Sequence, residues 1–179
     1  MDRDEVLMTQ TVYRPENQID VGIDSLKLNG PSYVSNHPGQ DSLNFVAPVA
    51  RFKYDINELN AESVKYLDIG DSYIFPHEGV VQVLEKAVIK PLRQAKILTN
   101  KESRHHLMYN ANLTVDSRIH YRGAADYDYI DEFDNRHTFR MTHVEVDTSG
   151  STFGKGEVAV ADSFMLSPFF TYQGQISMH

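Results

Sequence analysis

One segment, residues 71–98, constrains the fold most, because it predicts a helix in a chain that otherwise alternates like strands. Between Gly79 and Ile89, apolar side chains cover most of the circumference of this predicted helix, and Pro91 should kink its last turns. A narrow polar stripe remains, made of Gln82, Glu85, Lys86, Lys90 and Arg93. A helix that is apolar nearly all round is buried, and its many valines make it a weak helix alone. The segment therefore predicts a central helix that the rest of the chain encloses.

Length and composition exclude several classes of protein. The chain has 179 residues, which is typical of one domain, and its formal charge of −8 argues against a general nucleic-acid binder. It contains no cysteine, which excludes disulfides, thiolate chemistry and cysteine-based zinc sites. No apolar run is long enough to span a membrane, and residues 1–10 lack the pattern of a signal peptide. We therefore expect a cytoplasmic protein with neither nucleic acid nor membrane as a partner.

The remaining chain predicts strands and turns. Residues 49–54 and 63–69 predict a hairpin across a turn at 57–60, and 19–28 predicts a weaker strand. After the helix, alternation predicts four strands, at residues 111–121, 127–130, 137–147 and 156–166. Residues 148–151 predict a hairpin turn between the last two of these strands. Val144 changes parity within its strand, which indicates a bulge. We expect residues 1–47 to form an N-terminal extension and residues 48–179 to form the domain.

This order of elements predicts an α+β fold. Two strands, one long buried helix and three or four antiparallel strands are most simply packed as a curled antiparallel sheet wrapped around the helix. That arrangement is the hot-dog architecture.

Three stretches resemble the hot-dog superfamily of thioesterases and acyl dehydratases, over residues 48–166. HEGVVQVLEKA, at residues 77–87, resembles the HGGVxxxxxDEA signature of small acyl-CoA thioesterases. THVEVDTSGSTFGKGEVAVADSFM, at 142–165, resembles the last hairpin of that fold. ESVKYLDIGDSYIFPHEGVVQVLE, at 62–85, is similar in layout to actinobacterial fatty acyl-CoA thioesterases.

The resemblance implies a homodimer or higher homo-oligomer that processes an acyl thioester of CoA or acyl carrier protein without a cofactor. It implies either hydrolysis by a thioesterase or the reaction of a hydratase or dehydratase. The catalytic candidates are His77, Glu78, Glu85 and Tyr73. The Gly79 amide would polarise the thioester carbonyl at the helix start. The further substrate-binding candidates are Gln82, Arg93 and Lys96.

The chain departs from these family patterns at three points. Glu78 replaces the second glycine of the thioesterase signature, and Glu85 lies eight rather than nine residues after His77. The GHFPG-like loop of the dehydratases is absent. A catalytically silent relative is therefore an open alternative.

Other clusters of polar residues suggest weaker alternatives. His137 and His143 would share a face of one strand, with His120 on a neighbouring strand, but Phe139 and Met141 would lie between them, so we predict no metal site. The run DYDYIDEFD at 126–134 is only loosely similar to a calcium loop and is expected to be a solvated loop or an interface. A local basic group beyond the helix would suit the CoA phosphate, and it consists of Arg93, Lys96, Lys101 and Arg104.

A non-enzymatic structural or assembly protein, such as a virion or secretion-complex component, is the rival interpretation. The ten tyrosines and the absence of tryptophan and cysteine are compatible with it. The two interpretations differ at the helix start, where an enzyme requires a cavity lined by Tyr73, His77 and Glu85.

Overall fold

The computed structural model is built from β-strands. It describes residues 5–9, 28–101, 106–130, 135–159, 164–167 and 169–178, with residues 5–9 and 166–167 described through their backbone alone. The strands are β1 (Glu5–Thr9), β2 (Ser32–Val34), β3 (Asn44–Val46), β4 (Val49–Lys53), β5 (Glu58–Glu62), β6 (Leu67–Ile69), β7 (Ser72–Phe75), β8 (Val81–Val83), β9 (Leu92–Thr99), β10 (His106–Ser117), β11 (His120–Ile130), β12 (Arg136–Val146), β13 (Thr152–Val158), β14 (Met165–Ser167), β15 (Phe170–Thr171) and β16 (Gly174–Met178). Within these described ranges, the helical pieces are three 3₁₀ turns, Pro38–Gln40, His77–Gly79 and Glu85–Ala87.

Antiparallel pairing joins these strands into two larger sheets and two small ribbons. The eight-stranded sheet has the order β16-β13-β12-β11-β10-β9-β7-β6, and the four-stranded sheet has the order β1-β4-β5-β8. The ribbons pair β2 with β3 and β14 with β15. Both large sheets contribute to one core, in which Ala50, Ala61 and Val81 of the smaller sheet share a cluster with Ile74 and Ile97 of the larger.

The large sheet is curled, and a polar cluster, buried except for the half-buried Asp71, joins two parts that lie far apart in its strand order. Four strands separate β7 from β13, yet the Thr152 hydroxyl donates to Asp71 Oδ1 at 2.5 Å, and the Thr152 amide donates to Oδ2 at 3.1 Å. Ser72 and Tyr121 complete the cluster, with each hydroxyl within hydrogen-bonding distance of Thr152 Oγ1, at 2.8 and 2.9 Å. We call these four residues, Asp71, Ser72, Tyr121 and Thr152, the clasp.

The prediction of a long central helix is wrong, and with it the hot-dog fold class. The segment from 79 to 89 instead forms strand β8, the turn Glu85–Ala87 and a bridge between Val83 and Ile89. Val81 is fully buried opposite Ala61, whereas Val80 and Val88 are exposed, so the apolar residues do not enclose one axis. β-Branched side chains favour extended backbone, and this preference prevails here. The curled antiparallel sheet itself is confirmed.

Several predicted strands are confirmed and others shift. β4 and β12 match the predicted strands 49–54 and 137–147, and the turn after Asp147 is also confirmed. The predicted bulge is present, since the pairing of β12 with β13 shifts register between Met141 and His143.

The other strand predictions require correction. The predicted turn 57–60 lies mostly in β5, and this strand pairs with β4. The predicted strand 63–69 contains β6, which pairs with β7 and not with β4. The predicted strand 111–121 contains the turn between β10 and β11, and the predicted strand 127–130 is the end of β11. β13 begins before residue 156 and ends at Val158, while most of the predicted strand 19–28 lies outside the described residues.

The hairpin of β2 and β3 lies within the predicted extension 1–47, and its Leu43 and Phe45 pack into the main core. The boundary at residue 48 stays a prediction. Among the described residues, no helix has the length and apolar character needed to cross a membrane.

Candidate functional sites

The residues predicted at a helix start lie instead at the end of β7 and in the exposed turn that follows it. Tyr73 is buried, with its ring packed edge-on against Tyr66 at 4.9 Å. His77 and Glu78 are exposed, and their side chains are 3.9 Å apart. The Gly79 amide donates to the carbonyl of Pro76 at 3.1 Å, so this backbone donor is already engaged within the turn.

Three of the predicted site residues line one open hollow of about 460 Å³, namely His77, Gln82 and Arg93. Gln82 is held on both sides of its amide, since Nε2 donates to Asn60 Oδ1 at 2.6 Å and Oε1 accepts from Lys90 Nζ at 2.7 Å. Neither Tyr73 nor Glu78 lines this hollow, and Glu85 lines a different one. Neither of these two hollows therefore brings Tyr73, His77 and Glu85 together.

The predicted basic group lies on and after a strand rather than beyond a helix. Arg93 and Lys96 are exposed on β9, where the pairing with β10 is irregular. Lys101 is bound elsewhere, because its ammonium contacts the Asp68 carboxylate and donates to the Gly70 carbonyl. Arg104 lies outside the described residues.

The histidines weighed for a metal site are separated. His137 packs edge-on against Phe164 at 4.8 Å, His143 Nε2 lies 3.1 Å from Glu145 Oε1, and His120 contacts Asp116 at 2.9 Å. On a regular strand His137 and His143 would share a face, but the bulge in β12 reverses the parity between them. Within the described part of the chain, no group of three or more histidine, aspartate or glutamate side chains is placed to hold a metal ion.

The acidic and aromatic run that begins at residue 126 continues β11 as far as Ile130, and residues 131–134 lie outside the described residues. On this strand, Asp126 contacts Arg140 at 2.8 Å, and Asp128 accepts hydrogen bonds from Tyr109 and Thr138, each at 2.7 Å. Burial opposes ionisation of each aspartate. The hydrogen bonds outweigh it, so the pKa of Asp126 and that of Asp128 lie below the ordinary value. These carboxylates are structural partners of neighbouring strands.

The feature that sequence reasoning missed is strand β16, for which the sequence analysis predicted no strand. It is an end strand of the large sheet, and no described strand pairs with its outer edge. Its sequence, GQISM, contains no charged residue and no proline, although natural edge strands are commonly protected by one or the other. This lack of protection is visible in the sequence, but it can be interpreted only if residues 174–178 are first predicted to form a strand.

Exposed apolar side chains precede this strand. Met165, Phe169 and Phe170 are 44%, 89% and 70% exposed, and they belong to β14, β15 and the turn between them. The hairpin is anchored through Phe164, whose ring packs edge-on against Phe139 at 5.1 Å and whose carbonyl accepts from the Tyr172 amide. An anchored hairpin with exposed aromatic rings is typical of an interaction surface.

Comparisons with protein-family models, with curated proteins and with solved structures find no match for this chain.

Proposed function

We propose that this chain is a non-enzymatic assembly module that associates with a second copy of itself by antiparallel pairing of β16. The observation that carries the proposal is the outer edge of that strand, which bears no charge and pairs with no strand in the described part of the chain, at the end of an eight-stranded sheet. A free edge presents a row of N–H and C=O groups that another strand can pair with.

Two properties of β16 favour a second copy as the occupant. A two-fold axis through Ile176 places Gln175 of each copy opposite Ser177 of the other, and Gly174 opposite Met178. Because the strand contains no charge, this arrangement brings no like charges together. The exposed Phe169 and Phe170 shortly before the strand supply apolar area that a five-residue strand pairing lacks by itself.

Processing of an acyl thioester, whether by hydrolysis or dehydration, stays a prediction, and no observation favours it. Its candidate residues His77 and Glu85 line different hollows, and the Gly79 amide is engaged with Pro76. Hydrolysis of short- to long-chain acyl-CoAs by the wild type, lost in His77→Ala or Glu85→Ala, would contradict the non-enzymatic proposal.

Paired charge variants test the association. Gln175 and Ser177 are exposed, and they lie opposite Glu157 and Lys155 on β13. The variant Gln175→Lys/Ser177→Glu places opposite charges across the two-fold axis and next to each β13 neighbour. The variant Gln175→Lys/Ser177→Lys differs at one position and places like charges across the axis.

We expect wild type and Gln175→Lys/Ser177→Glu to sediment as dimers at concentrations where Gln175→Lys/Ser177→Lys is monomeric. Circular dichroism checks that all three are folded. The control Thr142→Lys adds one positive charge to an exposed position on the interior strand β12 and should sediment like the wild type. A monomeric wild type, or equal association of the two charge variants, would refute pairing through β16.

A further inference from the structure

We propose that the cavity behind the hairpin of β2 and β3 is a binding site for a small, ring-sized apolar molecule that carries one hydrogen-bond donor. The cavity measures about 160 Å³ and is distinct from the edge of β16. Its walls are mainly apolar and include Leu43, Phe45, Leu59, Val83 and Ile89.

One polar side chain in the wall is incompletely satisfied. Gln40 is 6% exposed, and its Nε2 donates to the carbonyl of Ala87 at 2.6 Å. Its Oε1 is buried and accepts no hydrogen bond from any described residue. Buried polar atoms are rarely left without a partner, since each one costs free energy. A ligand that donates one hydrogen bond to Oε1 would remove that cost.

The volume and the lining set the chemical class of the ligand. An apolar cavity of about 150 Å³ in another protein stays dry and binds benzene, which gives the size of the group that fits here. A wall of aliphatic and aromatic side chains excludes a charged ligand, because no counter-charge lines the cavity. The class is therefore a six-membered ring, or an aliphatic group of that size, bearing one hydroxyl or N–H.

The cavity borders a second hollow. A more open hollow of about 460 Å³ shares four lining residues with it, namely Tyr33, Leu59, Val83 and Ala87. Lys86 and Ala87 at its margin both have a φ of 61°, a left-handed conformation that non-glycine residues adopt at a cost. The Gln40–Ala87 hydrogen bond joins the buried Gln40 side chain to this margin.

Phenol and toluene are the probes, because they share a ring and only phenol has a donor. Both are titrated against full-length protein at millimolar concentrations by NMR, with the amide signals of Val83 and Ile89 as reporters. We expect both to bind saturably. In Gln40→Met, phenol should bind about 10-fold more weakly while the toluene affinity changes less than about 2-fold. An equal change for the two probes, or no phenol binding to wild type, would overturn the assignment.

A second pair of variants tests the location independently of Gln40. Val83→Phe fills the cavity and should abolish binding of both probes. Val88→Phe places the same side chain at a nearby exposed position that does not line the cavity, and it should bind like the wild type. Thermal unfolding of each variant establishes that it is folded. Unchanged binding to a folded Val83→Phe variant would also contradict the proposal.

Discussion

The clasp provides the sharpest test of how the large sheet holds its curl. Thr152→Val removes the hydroxyl that donates to Asp71 Oδ1 at 2.5 Å, while the backbone bond from the Thr152 amide to Oδ2 can persist. Thr152 is 2% exposed, so solvent does not replace the lost donor. The hydrogen bonds that Ser72 and Tyr121 make with this hydroxyl are lost as well.

The expected loss in the free energy of unfolding follows from the type of hydrogen bond that is removed. Hydrogen bonds to charged groups contribute about 1.5–3 kcal/mol, and we expect Thr152→Val to lower the free energy of unfolding by about 2–3 kcal/mol. For a chain of this length that corresponds to a decrease in Tm of about 5–10 °C. The matched control Thr152→Ser keeps the hydroxyl and removes one buried methyl group, which costs about 1 kcal/mol.

Urea unfolding followed by circular dichroism measures both variants. The reasoning predicts a lower midpoint for Thr152→Val than for Thr152→Ser, with similar m-values, because both native states bury similar surface. If Thr152→Val is as stable as Thr152→Ser or more stable, the hydroxyl does not hold the clasp together.

Three further predictions address ionisation and backbone strain. Burial raises the pKa of Tyr121 from the ordinary value of 10.0 to about 12. The protonated phenol therefore stabilises the fold fully below pH 10, and this stabilisation is lost between about pH 10 and 12. Over this range, urea unfolding should show a smaller loss of stability for Tyr121→Phe than for wild type. The pKa of Asp128 is lowered in the folded protein, so the ionised carboxylate stabilises the fold above the ordinary aspartate pKa of about 4, and this stabilisation is lost as the pH falls below that value. Asp128→Asn should therefore show a smaller acid-induced loss of Tm than wild type. Gly70 has a φ of 57°, and an added Cβ would lie 3.1 Å from Val146, so Gly70→Ala should cost about 1–2 kcal/mol. Gly150 also has a positive φ, of 87°, but an added Cβ there would meet no atom within 4 Å, so Gly150→Ala should cost less in the same assay.

Sequence patterns predicted the strands in which alternation is regular and is bounded by a recognisable turn. β12 alternates in this way on each side of its bulge, and the turn after Asp147 contains serine and glycine. The change of parity at Val144 located the bulge correctly. Each of these features depends on local chemistry that a sequence displays directly.

The errors arose where local patterns were ambiguous. The valine-rich segment after Gly79 is compatible with a buried helix or with strands, and only its pairing with Ala61 decides between them. The turn between β10 and β11 consists of Arg118 and Ile119, which lack the asparagine or glycine typical of a two-residue turn. Neither the clasp nor the Gln40 cavity could be predicted, because each joins segments that are far apart in sequence.

Disulfide trapping across the proposed two-fold axis tests the central claim of assembly through β16 most directly. The chain contains no cysteine, so each variant carries a single thiol. Antiparallel pairing centred on Ile176 places position 175 of one copy opposite position 177 of the other, at a separation that slight movement brings within reach of a disulfide. Gln175→Cys and Ser177→Cys are oxidised separately and as an equimolar mixture, and the covalent dimer is quantified by non-reducing electrophoresis.

We expect rapid formation of a mixed disulfide when the two variants are combined, and much slower formation of a dimer by either variant alone. Equal rates in all three samples, or no covalent dimer in the mixture, would contradict pairing of β16 between copies of this chain.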